Sequence, residues 1–239
     1  RNLALNAAVA ESLKIYADRL EKAENFEVAL HEMIRKTIKD HKRIIFNGNG
    51  YDNSWITEAT EKRGLLNYRT TADCIPHILD KKNVDMLTFH KVFSEAELKS
   101  RCEITLENYC KTVIIEANTM VDMARCEIAP AVEAYVKDLA KTAALKKSVS
   151  DEISCTYEST LMKKLSVLTE RIFIATGELE KAVVAVGQSD NVITESAAIR
   201  DILLTKMNEL RVVCDEAETL TAKKYWPFPT YGELLFGVR

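Results

Sequence analysis

The stretch TYESTLMKKLSVLTERIFIATGELEKAVVAV, residues Thr156–Val186, decides the fold. Within it Leu161, Leu165, Leu168, Ile172, Ala175, Leu179, Ala182 and Val186 alternate steps of four and three residues. A repeat averaging 3.5 residues lines its apolar side chains into one seam along a helix, and such a seam wants a partner helix at a shallow crossing angle. The same stepping occurs upstream at Leu106, Cys110, Val113, Ala117, Met120 and Ala124. A related stripe runs downstream through Ile199, Leu203, Met207, Leu210, Cys214 and Ala217.

The ends of these segments are marked. Ser94-Glu95-Ala96-Glu97 is a capping box, in which the Ser hydroxyl accepts from the Glu amide and the Glu carboxylate reaches back to the Ser amide. The helix it opens spans roughly 52 Å from residue 95 to 129, at 1.5 Å per residue. Pro130 is expected to kink or break it, because proline lacks the N–H and its ring meets the carbonyl one turn back. Residues 148–154 read as a connector, 187–191 as a short turn, and 192–223 as the third long helix. Short connectors force antiparallel neighbours. The expected fold class is therefore mainly α with little β, residues 95–223 forming an extended antiparallel three-helix bundle. Val113, Ile114, Ile115, Val121 and Met123 widen the first helix's apolar surface, which suggests a second body against it.

Upstream, residues 3–22 carry Leu3, Leu5, Ala8, Val9, Leu13, Tyr16 and Leu20 at helical spacing. Asn25 is placed to cap a second helix over 26–41, with Phe26, Leu30, Ile34 and Ile38 on one stripe. Ile44-Ile45-Phe46-Asn47-Gly48-Asn49-Gly50-Tyr51-Asp52 reads as a short β-type run entering a sharply turning loop. A helix to Arg63 follows, with Gly64 as its stop. Thr70-Thr71 opens another segment, and Pro76 suits its first turn. At the far end, Tyr225-Trp226-Pro227-Phe228-Pro229-Thr230-Tyr231 is forced into extended backbone by its prolines, and its aromatic rings predict docking onto another part of the molecule.

Composition agrees with a helical reading. Seven glycines and four prolines in 239 residues are too few for a hairpin-rich β fold. With 47% hydrophobic and 29% charged residues the chain is in the globular range. The near balance of 33 basic and 36 acidic residues argues against a nucleic-acid surface, and no apolar run approaches a membrane span. The first residue is Arg, which suggests a processed chain or a piece of a longer one. Cys74, Cys102, Cys110, Cys126, Cys155 and Cys214 form no C-x-x-C pair and read as buried, reduced thiols of a cytoplasmic protein.

Chemistry-bearing patterns are sparse. His31, His41, His77 and His90 have no metal-ligand spacing. Asn47-Gly48-Asn49-Gly50 lacks the lysine and the spacing of phosphate loops, so a structural turn is the first reading and a ligand-contacting loop the second. The basic helix from His31 to Arg43 reads as a solvated face. No catalytic, cofactor-binding or metal-ligating residue is assigned.

Four segments together resemble the C-terminal part of type III glutamine synthetases: Leu3-Ala4-Leu5-Asn6-Ala7-Ala8-Val9-Ala10-Glu11; Arg43 through Tyr51 with Trp55, Glu58-Ala59 and Arg63-Gly64-Leu65; Glu107-Asn108-Tyr109 with Ile115-Glu116-Ala117; and Tyr225 through Tyr231 running into Leu234-Leu235-Phe236. The resemblance implies an enzyme that joins ammonia to glutamate, using ATP and Mg2+ or Mn2+, none of them bound by this segment. It implies that residues 1–93 end a catalytic domain and that 94–239 form a type III-specific helical extension with an aromatic docking tail. Its implied partners are an upstream catalytic domain and neighbouring subunits of a double hexameric ring, in the cytoplasm. The implied role of this segment is structure and assembly rather than catalysis alone. The alternative from the residues themselves is a stand-alone helical-bundle interaction module.

Overall fold

Side-chain caps set most of the helix starts. In the computed structural model, which describes residues 2–187 and 191–237, Asn25 accepts from the Val28 N–H ahead of α2 (Phe26–His41). Asp52 does the same for α3 (Asn53–Thr57) and Thr70 for α4 (Thr71–Cys74). Ahead of α6 (Glu95–Met123) the Ser94 N–H donates to Glu97 Oε2 at 2.8 Å and the Glu97 N–H to Ser94 Oγ at 3.3 Å, the expected capping box. Among the described residues all regular structure is helical and no strand occurs. Among the described residues no helix is long and apolar enough to cross a membrane.

The chain divides into two compact units, Arg1–Thr105 and Leu106–Arg239, and the division falls within α6. The first unit holds α1 (Asn2–Glu21), α2, α3, α4 and α5 (Lys81–Phe89). Its core is small: Ala7, Leu87 and Leu98 are buried, with Val84, Met86, Val92 and Phe93 packed around them. His90 Nε2 lies 2.7 Å from Glu11 Oε2, tying the end of α5 to α1. The helical spans of α1 and α2 match the periodicity, but their apolar stripes are not covered within the unit. Leu5, Val9 and Leu13 are 61%, 57% and 62% exposed, and Ile38 is 55% exposed. The β-type run at Ile44–Phe46 is not a strand. Lys42–Ile44 make a 3-10 turn, and two of the carbonyls here are taken by a side chain rather than a neighbouring strand.

The second unit is built on α8 (Thr156–Val186). It packs against α7 (Ala129–Val149) on one side and α10 (Leu204–Leu220) on the other. Leu165, Leu168, Ile172 and Leu179 of its seam are at most 2% exposed. From the other two seams, Cys110, Ala117, Ala124, Ile199, Leu203, Leu210 and Ala217 are also buried in this core. Val113 and Val121 join it, so much of the widened face of α6 is absorbed within its own unit, while Ile115 stays 66% exposed.

Pro130 neither breaks the helix nor ends it. The turn before it, Ala124–Ile128, widens to a π turn in which the Ala129 N–H bonds the Ala124 carbonyl, and α7 continues at once. The wider turn makes room for a ring that an α turn would press against a carbonyl. A second π turn, Ile199–Leu203, joins α9 (Val192–Ala198) to α10. Across the 150–155 connector, Lys146 in the last turn of α7 donates to the buried Glu158 in the first turn of α8. Each charge also suits the helix end it occupies. The expected turn at 187–191 includes residues 188–190, which lie outside the described residues.

The thiols are mixed rather than uniformly buried. Cys102, Cys110 and Cys214 are buried, Cys155 is half-buried, and Cys74 and Cys126 are exposed. The exposed pair sit on outward-facing positions of short or widened turns, where the apolar stripe does not reach.

Candidate functional site

Two places hold side chains in more order than helix packing requires. The first is the Asn-Gly loop. Phe46 and Trp55 stack with ring centroids 3.9 Å apart and planes at 19°. The Arg63 guanidinium lies 5.0 Å from the Trp55 ring centroid and 5.9 Å from that of Phe46. Its Nη1 donates to the Arg43 carbonyl at 3.1 Å and to the Ile45 carbonyl at 2.9 Å. Its Nε and Nη2 both donate to Glu58 Oε1, at 2.8 and 2.6 Å.

The local sequence explains how Arg63 gets there. Glu58–Lys62 is a π turn closed by the Arg63 N–H on the Glu58 carbonyl, which sets residues five apart side by side. Gly64 then takes φ +63°, the left-handed conformation that favours glycine, and the chain leaves the helix. Within the loop the Asn49 side chain accepts from the Tyr51 N–H at 3.1 Å, and Asp52 Oδ1 from the Ser54 N–H at 2.7 Å. The Ser54 hydrogen bonds hold the Asp52 carboxyl below its ordinary range. A side chain at Gly48 would meet the Phe46 ring at 2.6 Å, so the backbone here lies directly on the stack. Tyr51, at the tip, is 99% exposed. The result is a braced loop with a bare ring.

The second place is the aromatic strap after α10. Trp226 and Phe228 pack against the core of the second unit, and their rings meet edge to face at 6.3 Å and 77°. Tyr225 lies 5.0 Å from the Tyr135 ring and its hydroxyl donates to the Asp138 carboxylate. The strap docks within its own unit, as its composition predicts. Docking stops at Thr230, because Tyr231, Leu234, Leu235 and Phe236 of the short α11 (Tyr231–Phe236) are 65–84% exposed.

The four histidines are not brought together. His77 stacks on Tyr68 at 4.2 Å and its Nδ1 lies 3.1 Å from Asp80 Oδ2. His90 pairs with Glu11, and His31 and His41 are exposed on α2. The charged side chains of the basic helix face solvent: Arg35, Lys36, Lys39, Lys42 and Arg43 are all exposed. Among the described residues no three His, Cys, Asp or Glu side chains converge as a metal ion requires. Arg63 is the ordering residue that sequence reasoning passed over. It appeared as a neighbour of a helix stop and within one segment of the resemblance, with no role given to it, and the aromatic pair it covers is separated by nine positions with no periodic relation.

Residues 29–147 match the glutamine synthetase C-terminal domain family. The chain is 40% identical to a glutamine synthetase of Butyrivibrio fibrisolvens, over 87% of this chain and 30% of that protein. It is 29% identical to the type-3 glutamine synthetase of Dictyostelium discoideum, over 98% of this chain and 33% of that protein. A glutamine synthetase of Bacteroides fragilis (strain YCH46) is 26% identical over the same shares. The chain thus spans about a third of the length of the curated relatives it matches.

Proposed function

We propose, from the match of residues 29–147 to the glutamine synthetase C-terminal domain family, that this chain is the C-terminal portion of a type III glutamate–ammonia ligase, serving structure and assembly rather than catalysis on its own. Residues 1–93 complete the catalytic domain in this reading. Residues 94–239 form the helical extension, with α7, α8 and α10 as an antiparallel three-helix bundle and the aromatic strap as its fastening. In the complete enzyme, ATP and Mg2+ or Mn2+ would be held by residues beyond this chain and would supply activation of the glutamate carboxylate. No ligand role is given to a residue here. The assembly is a homo-oligomer, in the resemblance a double hexameric ring, and the enzyme is cytoplasmic.

One observation carries the reading. The first unit leaves much of the apolar stripes of α1 and α2 bare, with Leu5, Val9, Leu13 and Ile38 all more than half exposed beside a small buried cluster of Ala7, Leu87 and Leu98. Monomeric proteins rarely leave stripes of that kind in water, so the unit has the character of a piece completed by another body. A catalytic domain for which these helices supply the last layer provides that body.

The test compares γ-glutamyl transfer by the 239-residue chain with that of a polypeptide extended upstream through the remaining two thirds found in its relatives. Activity in the extended form alone is the expected result. Activity in the short chain overturns the division of labour, and inactivity of both forms favours the stand-alone interaction module.

A further inference from the structure

Beneath the strap, α6 and α10 leave a cavity of about 210 Å3. Met120 and Met123 of α6, Cys214 of α10, and Trp226 and Phe228 of the strap line it. The two rings stand at 77° to each other, so they make two sides of a corner. Burial pushes the Cys214 thiol up to about 11, so it stays neutral at physiological pH and adds no charge to the wall. Arg211 and Asp215, also in the lining, are within 3.4 Å of each other and offset one another's charge. Glu218 is different. It lines both this cavity and the adjoining hollow behind the strap, and among the described residues no cation pairs with it.

An aromatic corner and a polarisable thioether wall attract a cation whose charge is spread over an alkyl shell, because ring faces are electron-rich and such a cation loses little hydration on entering. A compact metal ion would lose too much hydration against this wall, and an anion would face Glu218 unopposed. We propose that the cavity binds a small organic cation, an alkylated ammonium group packed into the Trp226–Phe228 corner with Glu218 as its counter-charge. The proposal concerns the second unit alone and stands or falls independently of the enzymatic reading.

The probe is tetramethylammonium, whose size suits the cavity, and its neutral relative of similar shape is tert-butanol. Trp55 and Trp226 are the two tryptophans of the chain, so a Trp55→Phe background leaves Trp226 as the reporter. Titration of the 239-residue chain is expected to give a saturable Trp226 fluorescence change at millimolar tetramethylammonium. It should also shift the Met120 and Met123 methyl signals in NMR spectra. tert-Butanol should bind at least about fivefold more weakly, in keeping with a cation–π contribution at a partly exposed site. Glu218→Gln, a change on an exposed helix position that preserves helix propensity, should weaken tetramethylammonium by a similar factor and leave tert-butanol unchanged. Absence of saturation, equal binding of the neutral molecule, or indifference to Glu218→Gln would each overturn the proposal.

Discussion

The Tyr225 hydroxyl donates to the Asp138 carboxylate, joining the aromatic strap to α7 across 87 positions of sequence. That hydrogen bond is the first cause holding the Asp138 carboxyl below its ordinary range. It also anchors the strap next to Trp226 and Phe228, which pack half-buried against the core. Tyr225→Phe should therefore raise acrylamide quenching of Trp226 and lower the melting temperature slightly. Asp138→Asn keeps an acceptor and should do less. Unchanged quenching in Tyr225→Phe would mean that the rings alone hold the strap.

Burial separates seams that sequence makes look alike. Leu165 and Leu179 are fully buried, whereas Leu13 is 62% exposed. Leu165→Ala and Leu179→Ala should each cost about 2–5 kcal/mol in urea unfolding of the second unit. Leu13→Ala should stay within about 0.5 kcal/mol in this chain. In the complete enzyme the Leu13 change should become costly, and a neutral result there would argue against its being covered.

The three glycines of the first unit's loop region are not equivalent. At Gly48 a Cβ would sit 2.6 Å from the Phe46 ring, which the Trp55 stack keeps from moving away. Gly48→Ala should cost about 1–3 kcal/mol and alter Trp55 emission. Gly64 has open space but φ +63°, so Gly64→Ala should cost about 1–2 kcal/mol and leave Trp55 emission unchanged. Gly50 has open space and no left-handed φ, so Gly50→Ala should be neutral within about 0.5 kcal/mol.

Acid should unfasten α11. The Thr230 N–H, Lys223 and the Thr230 hydroxyl hold Glu233 down to about 2 from its ordinary 4.5. A carboxyl depressed by folding adds stability that is full above the ordinary value and is lost as pH falls toward the depressed one. Amide signals of residues 231–236 should thus stay helical at pH 5 and lose that character between pH 4.5 and 2. Glu233→Gln should loosen α11 at neutral pH and remove most of the acid response. Retention of helical shifts at pH 2 would show that the capping box is dispensable.

Helix positions were readable because their signals are local. The 3.5-residue seam of α8, the Ser94–Glu97 box and the Asn25 cap all act within a few residues of themselves, and each reappears at the expected place. The two braced places were only half readable. The Asn-Gly turn and the proline-bound aromatics mark where the chain bends, but not what the bends touch. Arg63 on Phe46 and Trp55, and Tyr225 on Asp138, join positions with no periodic relation, so no spacing announces them.

Sequence alone therefore determined a mainly helical chain and the places where its long helices begin, because backbone hydrogen bonding and capping are settled over one or two turns. Tertiary structure decided which apolar faces meet a partner: α8 is buried on its seam while much of the apolar stripes of α1 and α2 is left open. It also decided that Pro130 follows a widened turn instead of ending a helix, because the π turn at Ala124–Ile128 gives the ring room that an α turn would deny it. Periodicity says that a face is apolar. Only the surrounding chain decides whether anything covers it.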